Sequence, residues 1–234
     1  MKQGLLITCE HAVNTVPDRY AALFANKQKL LSGHRGYDIG ALELAREIST
    51  KLASPIFSGE ATRLLIDLNR SGNNRSLFSD ASRSLPEGER REILARYYLP
   101  YRDSVLRSLE KLVKTRGRVL HLSVHSFTPV LHDIRRMADI GLLYDPSRER
   151  ETRFCMAMRG ELLGRMPSLA VRRNYPYRGT ADGLTTFLRR RFPGEAYLGI
   201  ELEINQRHPL GSPDDWARIK ETVIGSLERI IPET

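Results

Sequence analysis

The sequence predicts an α/β fold, one domain over residues 1–234 built on a mostly parallel mixed sheet with helices on both faces. Three observations carry that expectation. Short apolar runs bounded by turn residues recur along the chain, longer stretches with helical spacing lie between them, and no linker, internal repeat or low-complexity tract divides the 234 residues. A chain of this length buries about three quarters of its unfolded surface, enough for one substantial core.

The elements follow in order. Gly4 to Thr8 reads as the first strand, and Asp38 to Leu52 (DIGALELAREISTKL) as the first helix, after an irregular stretch from Asn14 to Gly36. Leu64 to Leu68 reads as a second strand; the Gly-, Asn- and Ser-rich segment Ser71 to Glu87 follows it, then a helix over Gly88 to Val113. Strands are expected at Val119 to Val124, Ile140 to Tyr144 and Tyr197 to Ile204, several of them buried on both faces. Helices are expected at Glu149 to Leu163 and Pro213 to Ile231, with an irregular loop over Asn174 to Gly183.

Composition narrows the function classes. Hydrophobic residues at 41% and charged residues at 28% are ordinary globular usage, which argues against disorder and fibrous repeats. The longest apolar run falls well short of a membrane span, so no membrane partner is expected. Cys9, Glu10 and His11 interrupt the N-terminal apolar stretch before a signal-like core is reached, and a cytoplasmic location is expected. Cys9 and Cys155 offer neither a disulfide framework nor a CxxC metal knuckle. The net charge of +9 fits a nucleic-acid surface, an anionic small substrate or a host with basic proteins. Basic residues are scattered from Arg63 to Arg207 and aromatic residues are only 7%, which supports a base-stacking platform poorly, so no nucleic-acid partner is expected.

Chemistry-bearing residues gather where the chain leaves the sheet, the edge at which open α/β sheets bind ligands. Glu10, His11 and Asn14 follow the first strand; Asp67, Asn69 and Arg70 follow the second; His125 and Ser126 follow the third; Glu201 and Glu203 lie in the last. A hydrolytic metal site needs about three protein ligands and one open position. Of six histidines only His11 and His125 stand at strand exits; His132 and His208 lie in loops, His34 precedes a helix, and His121 shares one side of the third strand with His125. Asp38 is the best third ligand by pattern, although a helix-capping role would account for it equally. Glu10 points to the face opposite His11 if the strand runs straight. Arg63, Asp67, Asn69 and Arg70 punctuate the second strand, and an arginine there is shaped to clasp a carboxylate. Glu201, Glu203 and Asn205 share one face of the last strand, either at a metal or on an exposed edge. The run from Arg189 to Arg191 reads as a solvated helix end, and Asp182-Gly183 as a turn. Ser126 or Cys9 with His125 would make a metal-independent amidase, but no nucleophile elbow is present.

At these residues the sequence resembles the N-formylglutamate amidohydrolase family over nearly its whole length. The resemblance rests on CEHAVNTVP from Cys9, HRGYDIGA from His34, RLLIDLNR from Arg63, HSFTP from His125, NYPY from Asn174 and GIELEINQ from Gly199. The family is related to the zinc carboxypeptidases and to aspartoacylase-like enzymes, which implies a carboxypeptidase-like (phosphorylase/hydrolase-like) sheet with one zinc ion at strand ends. In those relatives a glutamate follows the first ligand histidine by three positions; here Asn14 stands there, a departure from the pattern. The resemblance then implies His11 and His125 as ligands with Asp38 replacing the glutamate, Asn69 and Arg70 as the clasp for a substrate carboxylate, Arg63 as the group polarising the carbonyl, and Glu201 as general base. It implies hydrolysis of a small anionic N-acyl amino acid, N-formyl-L-glutamate first among them, with Arg178 of the NYPYRGTADG loop as a further substrate contact.

Overall fold

A computed structural model describes residues 3–231; residues 1–2 and 232–234 of the expected domain lie outside the described residues. Six strands form one sheet: β1 (Gly4–Cys9), β2 (Ile56–Ser58), β3 (Val119–Phe127), β6 (Ile140–Leu143), β7 (Val171–Arg173) and β8 (Tyr197–Asn205), in the order β2-β1-β3-β8-β6-β7. All neighbours run parallel except β6 and β8. The sheet is therefore mixed and mostly parallel. A separate two-stranded hairpin, β4 (Val130–Leu131) with β5 (Ile134–Arg135), follows the end of β3.

The helices are α1 (Gln28–Leu31), α2 (Ala41–Lys51), α3 (Asp80–Arg83), α4 (Glu87–Ile93), α5 (Leu99–Arg116), α6 (Glu149–Arg165), α7 (Leu184–Arg191) and α8 (Pro213–Ile230). A π-helical segment, Leu94–Tyr98, joins α4 to α5. One face of the sheet is mostly apolar. Leu5, Ile7 and Cys9, Leu120, Leu122 and Val124, and Leu198 to Ile204 at alternate positions pack there on α2, α6 and α8. The other face is graded. At its N-terminal end Leu6, Val119 and Tyr197 pack on α5 and α7, and towards the carboxyl end the same strands turn to it Thr8 and Glu10, His121, Ser123 and His125, Glu201 and Glu203. Strand alternation alone produces this arrangement, because residues two apart share a face.

Three expectations need correction. Leu64 to Leu68 is not a strand: Thr62 to Arg70 runs through turns, and the strand beside β1 is Ile56–Ser58 instead. Leu64, Leu65, Ile66 and Leu68 are buried in a core of their own, with Tyr20, Phe24, Leu77, Ile93 and Tyr98. Their apolar run reports burial rather than extension, an ambiguity inherent in short apolar runs. The exposed-edge alternative for the last strand also fails, since β8 lies between β3 and β6 and all nine residues are buried. Finally, the arginine run at the end of α7 divides. Arg190 and Arg191 are exposed, but Arg189 is buried with its Nε 3.0 Å from Glu151 Oε1.

Candidate active site

The pairing of β1 with its neighbours stops at Cys9, and the chain turns at Glu10 and His11, with Gly59 N donating to Cys9 O and Asp38 N to His11 O (both 2.9 Å). The turn resolves the facing problem between Glu10 and His11. Glu10 stays on the polar face against Ser123 and His125 of β3, while His11 beyond the strand end meets Asp38 and Asp67. His125 comes from within β3, and Asp38 from the segment before α2.

Asp38 does not cap its helix. The N-cap is Gly40 at φ 81°, a left-handed conformation open to glycine, and no side chain caps there. The Asp38 carboxylate is turned to the histidines instead: its Oδ2 lies 3.3 Å from His11 Nδ1 and 2.8 Å from His125 Nδ1, and accepts a hydrogen bond from Ser126 N at 3.3 Å. One donor atom from each of His11, Asp38 and His125 can be chosen so that all lie within 4.8 Å of one another, and all three residues are buried.

Each histidine is backed by a second carboxylate on its other nitrogen. His11 Nε2 lies 2.7 Å from Asp67 Oδ1, and His125 Nε2 lies 3.0 Å from Glu10 Oε2 and 2.9 Å from Ser123 Oγ. A backing carboxylate fixes the imidazole tautomer and orients the free nitrogen at a metal. Two Nδ1 atoms beside one carboxylate oxygen, with both Nε2 atoms tied back, make a donor set that suits a divalent metal ion. The chain's residues fit such an ion. Burial alone would depress the histidines, yet the carboxylates on both nitrogens push His125 well above its usual range and raise His11. Burial would likewise raise Asp38, Asp67 and Glu10, but the histidines beside them hold all three far below the usual carboxylate range.

Around this cluster lies a cavity of about 210 Å³. The residues that the resemblance gives roles, His11, Asp38, Arg63, Asn69, Arg70, His125, Arg178 and Glu201, all line it. The 62–70 turns bring four polar groups together. Arg63 Nη2 donates to Asp67 Oδ2 at 2.9 Å and Nη1 to Asp38 Oδ1 at 3.4 Å, and Asn69 N donates to Asp67 Oδ1 at 3.0 Å. Arg70 Nη1 donates to Asp182 O at 2.8 Å, and Tyr98 Oη donates to Arg70 O at 2.8 Å. Arg178 is exposed at the rim, and its guanidinium has no hydrogen bond or ion pair among the described residues. Glu201 accepts a 2.5 Å hydrogen bond from Thr185 Oγ1 of α7. Glu203 lines the same cavity with its Oε2 buried and without a hydrogen-bond partner, and burial raises its carboxyl to about 7.

The remaining candidates fall away from the centre. Asn14, three positions after His11, is exposed and lines a different depression. His121 is a core histidine, its Nε2 2.8 Å from Thr8 Oγ1 and its Nδ1 2.7 Å from Tyr197 Oη, and burial lowers it to about 4. Cys9 sits on the apolar face and burial pushes its thiol up, so no thiolate is at hand. The Ser126 hydroxyl accepts from Gln206 Nε2 at 3.0 Å, and His125 spends both nitrogens on Asp38 and the Glu10–Ser123 pair. Neither residue forms a nucleophile–base pair. Sequence reasoning gave no role to Asp67, Asp182, His34 or Tyr177, all of which back or line the cavity. The Asp182-Gly183 turn signal was visible; its partners, over 100 positions away, were not.

A family model described as N-formylglutamate amidohydrolase matches residues 3–208. Among solved structures, a gene product of Agrobacterium tumefaciens is 29% identical at a TM-score of 0.78, with 98% of this chain and 92% of that chain covered. The N-formylglutamate amidohydrolase of Ralstonia eutropha is 17% identical at a TM-score of 0.72, with 98% and 93% covered, a likeness of fold. No curated protein matches.

Proposed function

The chain belongs to the N-formylglutamate amidohydrolase family, and from that premise we propose a metal-dependent hydrolase that cleaves the amide bond of a small anionic N-acyl amino acid, N-formyl-L-glutamate to formate and glutamate being the leading case. The observation that carries the reading is the convergence of His11, Asp38 and His125 within 4.8 Å, with Asp67 and Glu10 behind the two rings. A divalent ion such as zinc, once bound, would supply a Lewis acid and lower the pKa of water towards neutrality.

The chain's residues divide the remaining work. His11, Asp38 and His125 hold the ion. Glu201 takes the proton of the attacking water, steadied by Thr185, and returns it to the leaving nitrogen. Arg63, anchored on Asp67, stabilises the negative charge that develops on the acyl oxygen. Asn69 and Arg70 hold a substrate carboxylate, with Arg178 at the rim, so the scissile bond is presented to the water in a fixed orientation. A cavity of about 210 Å³ suits a substrate of amino-acid size. No helix among the described residues is long and apolar enough to cross a membrane.

Metal analysis of the purified protein, followed by hydrolysis assays on a panel of N-acyl amino acids before and after chelation, tests the reading. Activity lost on chelation and restored by zinc is expected. Full activity in chelated protein shown to contain no metal would overturn it.

A further inference from the structure

Asn69 and Arg70 do not stand alone on their turn. Each spends one polar atom at the start of α7: Asn69 Oδ1 accepts from Leu184 N, the first residue of the helix, at 2.7 Å, and Arg70 Nη1 donates to Asp182 O, two residues earlier, at 2.8 Å. The side chain of Asp182 makes the return connection. Its Oδ2 accepts from Ser71 N at 3.1 Å and from Asn74 Nδ2 at 2.5 Å, both on the loop that follows Arg70. Four hydrogen bonds thus cross between two segments more than 100 residues apart, and Asp182 takes part in three of them. The next residue, Gly183, lies so close that a Cβ there would come 3.1 Å from Asn69 Oδ1 and 3.5 Å from Glu201 Oε1. Its φ of −172° is ordinary extended backbone, so what glycine contributes here is close approach: a Cβ would press on the Asn69 amide by a few tenths of an ångström.

The far end of the same segment is also fixed. Gly179 N donates to Asn174 Oδ1 at 3.0 Å, and Gly179 O accepts from Arg189 Nη1 at 2.5 Å, the buried arginine paired with Glu151. Arg178 therefore projects from a strap held at one end by Arg189 and at the other by Asp182. We propose that Asp182 is the positioning residue of the amino-acid-binding half of the cavity: its carboxylate locks the strap to the 67–74 loop, so that Asn69, Arg70 and Arg178 meet the substrate carboxylate as one preset array. The proposal rests on the amidohydrolase reading above. Asp182 acts through its neighbours, since its own acceptor oxygen is already occupied by Ser71 and Asn74.

A preset array acts on substrate affinity, whereas the metal ligands lie on other segments and keep their own backing carboxylates. The test compares wild type, Asp182→Ala and Asp182→Asn as zinc-loaded protein, measuring kcat and KM on N-formyl-L-glutamate, Kd for L-glutamate by calorimetry, and zinc affinity by competition with a chelating dye. Loss of two hydrogen bonds to a charged acceptor should raise KM and the glutamate Kd by about tenfold or more in Asp182→Ala, with kcat within about threefold of wild type and zinc affinity unchanged. Asp182→Asn should restore both constants, because one amide oxygen has two lone pairs and can accept from Ser71 and Asn74 together. A merely structural role would lower thermal stability without this division between KM and kcat. If Asp182→Ala fails to fold, Asn74→Ala, which removes one of the two donors, should raise KM by about threefold or more. An active wild type whose Asp182→Ala variant keeps its KM and glutamate Kd would overturn the proposal, as would an asparagine variant that rescues neither. A zinc-loaded wild type that hydrolyses no N-acyl amino acid would instead overturn the amidohydrolase reading and this proposal with it.

Discussion

Asp67 Oδ1 stands 2.7 Å from His11 Nε2, on the side of the imidazole away from Asp38, and the same carboxylate receives Arg63 at 2.9 Å through Oδ2. One buried side chain thereby braces a metal-ligand candidate and the proposed oxyanion-stabilising arginine together. Asp67→Asn should lower zinc affinity by about 10- to 100-fold, the usual cost of an outer-shell partner. Competition with a chelating dye measures it; an affinity equal to wild type would mean that His11 needs no brace.

Replacement of either His11 or His125 by alanine would remove one of the three proposed ligands and open the chelate. Zinc content after dialysis should fall to near zero in both variants, with a larger affinity loss than in Asp67→Asn. Stoichiometric zinc in both would exclude the cluster as the metal site.

Glu201 and Glu203 compete for the role of proton acceptor, being two residues apart on one face of β8. Glu201→Gln should reduce kcat by a factor of about 10² to 10⁴ while zinc and fold are retained. Glu203→Gln should cost less, because Glu203 Oε2 makes no hydrogen bond and the variant keeps the shape. Steady-state kinetics on the two proteins, side by side, decides; the reverse order of effects would move the base to Glu203.

Arg70→Ala should chiefly raise KM, since a substrate carboxylate is held in ground and transition states alike. A large fall in kcat with unchanged KM would put Arg70 at the reacting carbonyl instead.

Asp139 offers a pH test remote from the cavity. Its Oδ2 accepts from Ala170 N at 2.8 Å, its Oδ1 is 2.7 Å from His208 Nε2, and Arg207 donates to it as well. Burial would raise this carboxyl, but the His208, Ala170 and Arg207 hydrogen bonds lower it from 3.8 to about 2. A folded pKa below the unfolded one means stability that is fully present above about pH 4 and is lost as pH falls towards 2. Asp139→Asn should therefore lower stability at neutral pH, on the order of 1–3 kcal/mol, and flatten the acid limb of a Tm-against-pH curve. Parallel acid limbs for variant and wild type would remove Asp139 from the account.

How much of this was legible in the sequence depends on the range of the interaction. Strands β1, β3, β6 and β8 and the long helices α2, α6 and α8 follow from periodicity, because alternation and helical spacing are local properties of the chain. The cluster of His11, Asp38 and His125 was legible as two histidines at expected strand ends and a carboxylate at a helix start. Its backing was not: Glu10 looked misdirected until the turn at the end of β1 was known, and Asp67 sat on an apolar run that suggests a strand yet folds as turns over a separate core. Asp38 shows the same limit, since a carboxylate just before a helix suggests a cap and only tertiary structure reveals Gly40 at that position. Buried Arg189 and the Asp182 connection are wholly long-range.

The π-helical segment between α4 and α5 imposes a different kind of constraint. Each α-helical residue advances the helix by about 100°, so the extra residue in a wider π turn resets the rotational phase of everything after it. In that phase Tyr98 Oη meets Arg70 O, and Arg102 reaches Leu68 O at 3.3 Å with its guanidinium 4.4 Å from the Phe187 ring centroid. The count of residues between Ile93 and Leu99 is therefore under tighter restraint than their identities. Conservative exchanges on the exposed side of the segment leave the phase intact, whereas deletion of a single residue would rotate Tyr98 and Arg102 off the loop that carries Asn69 and Arg70.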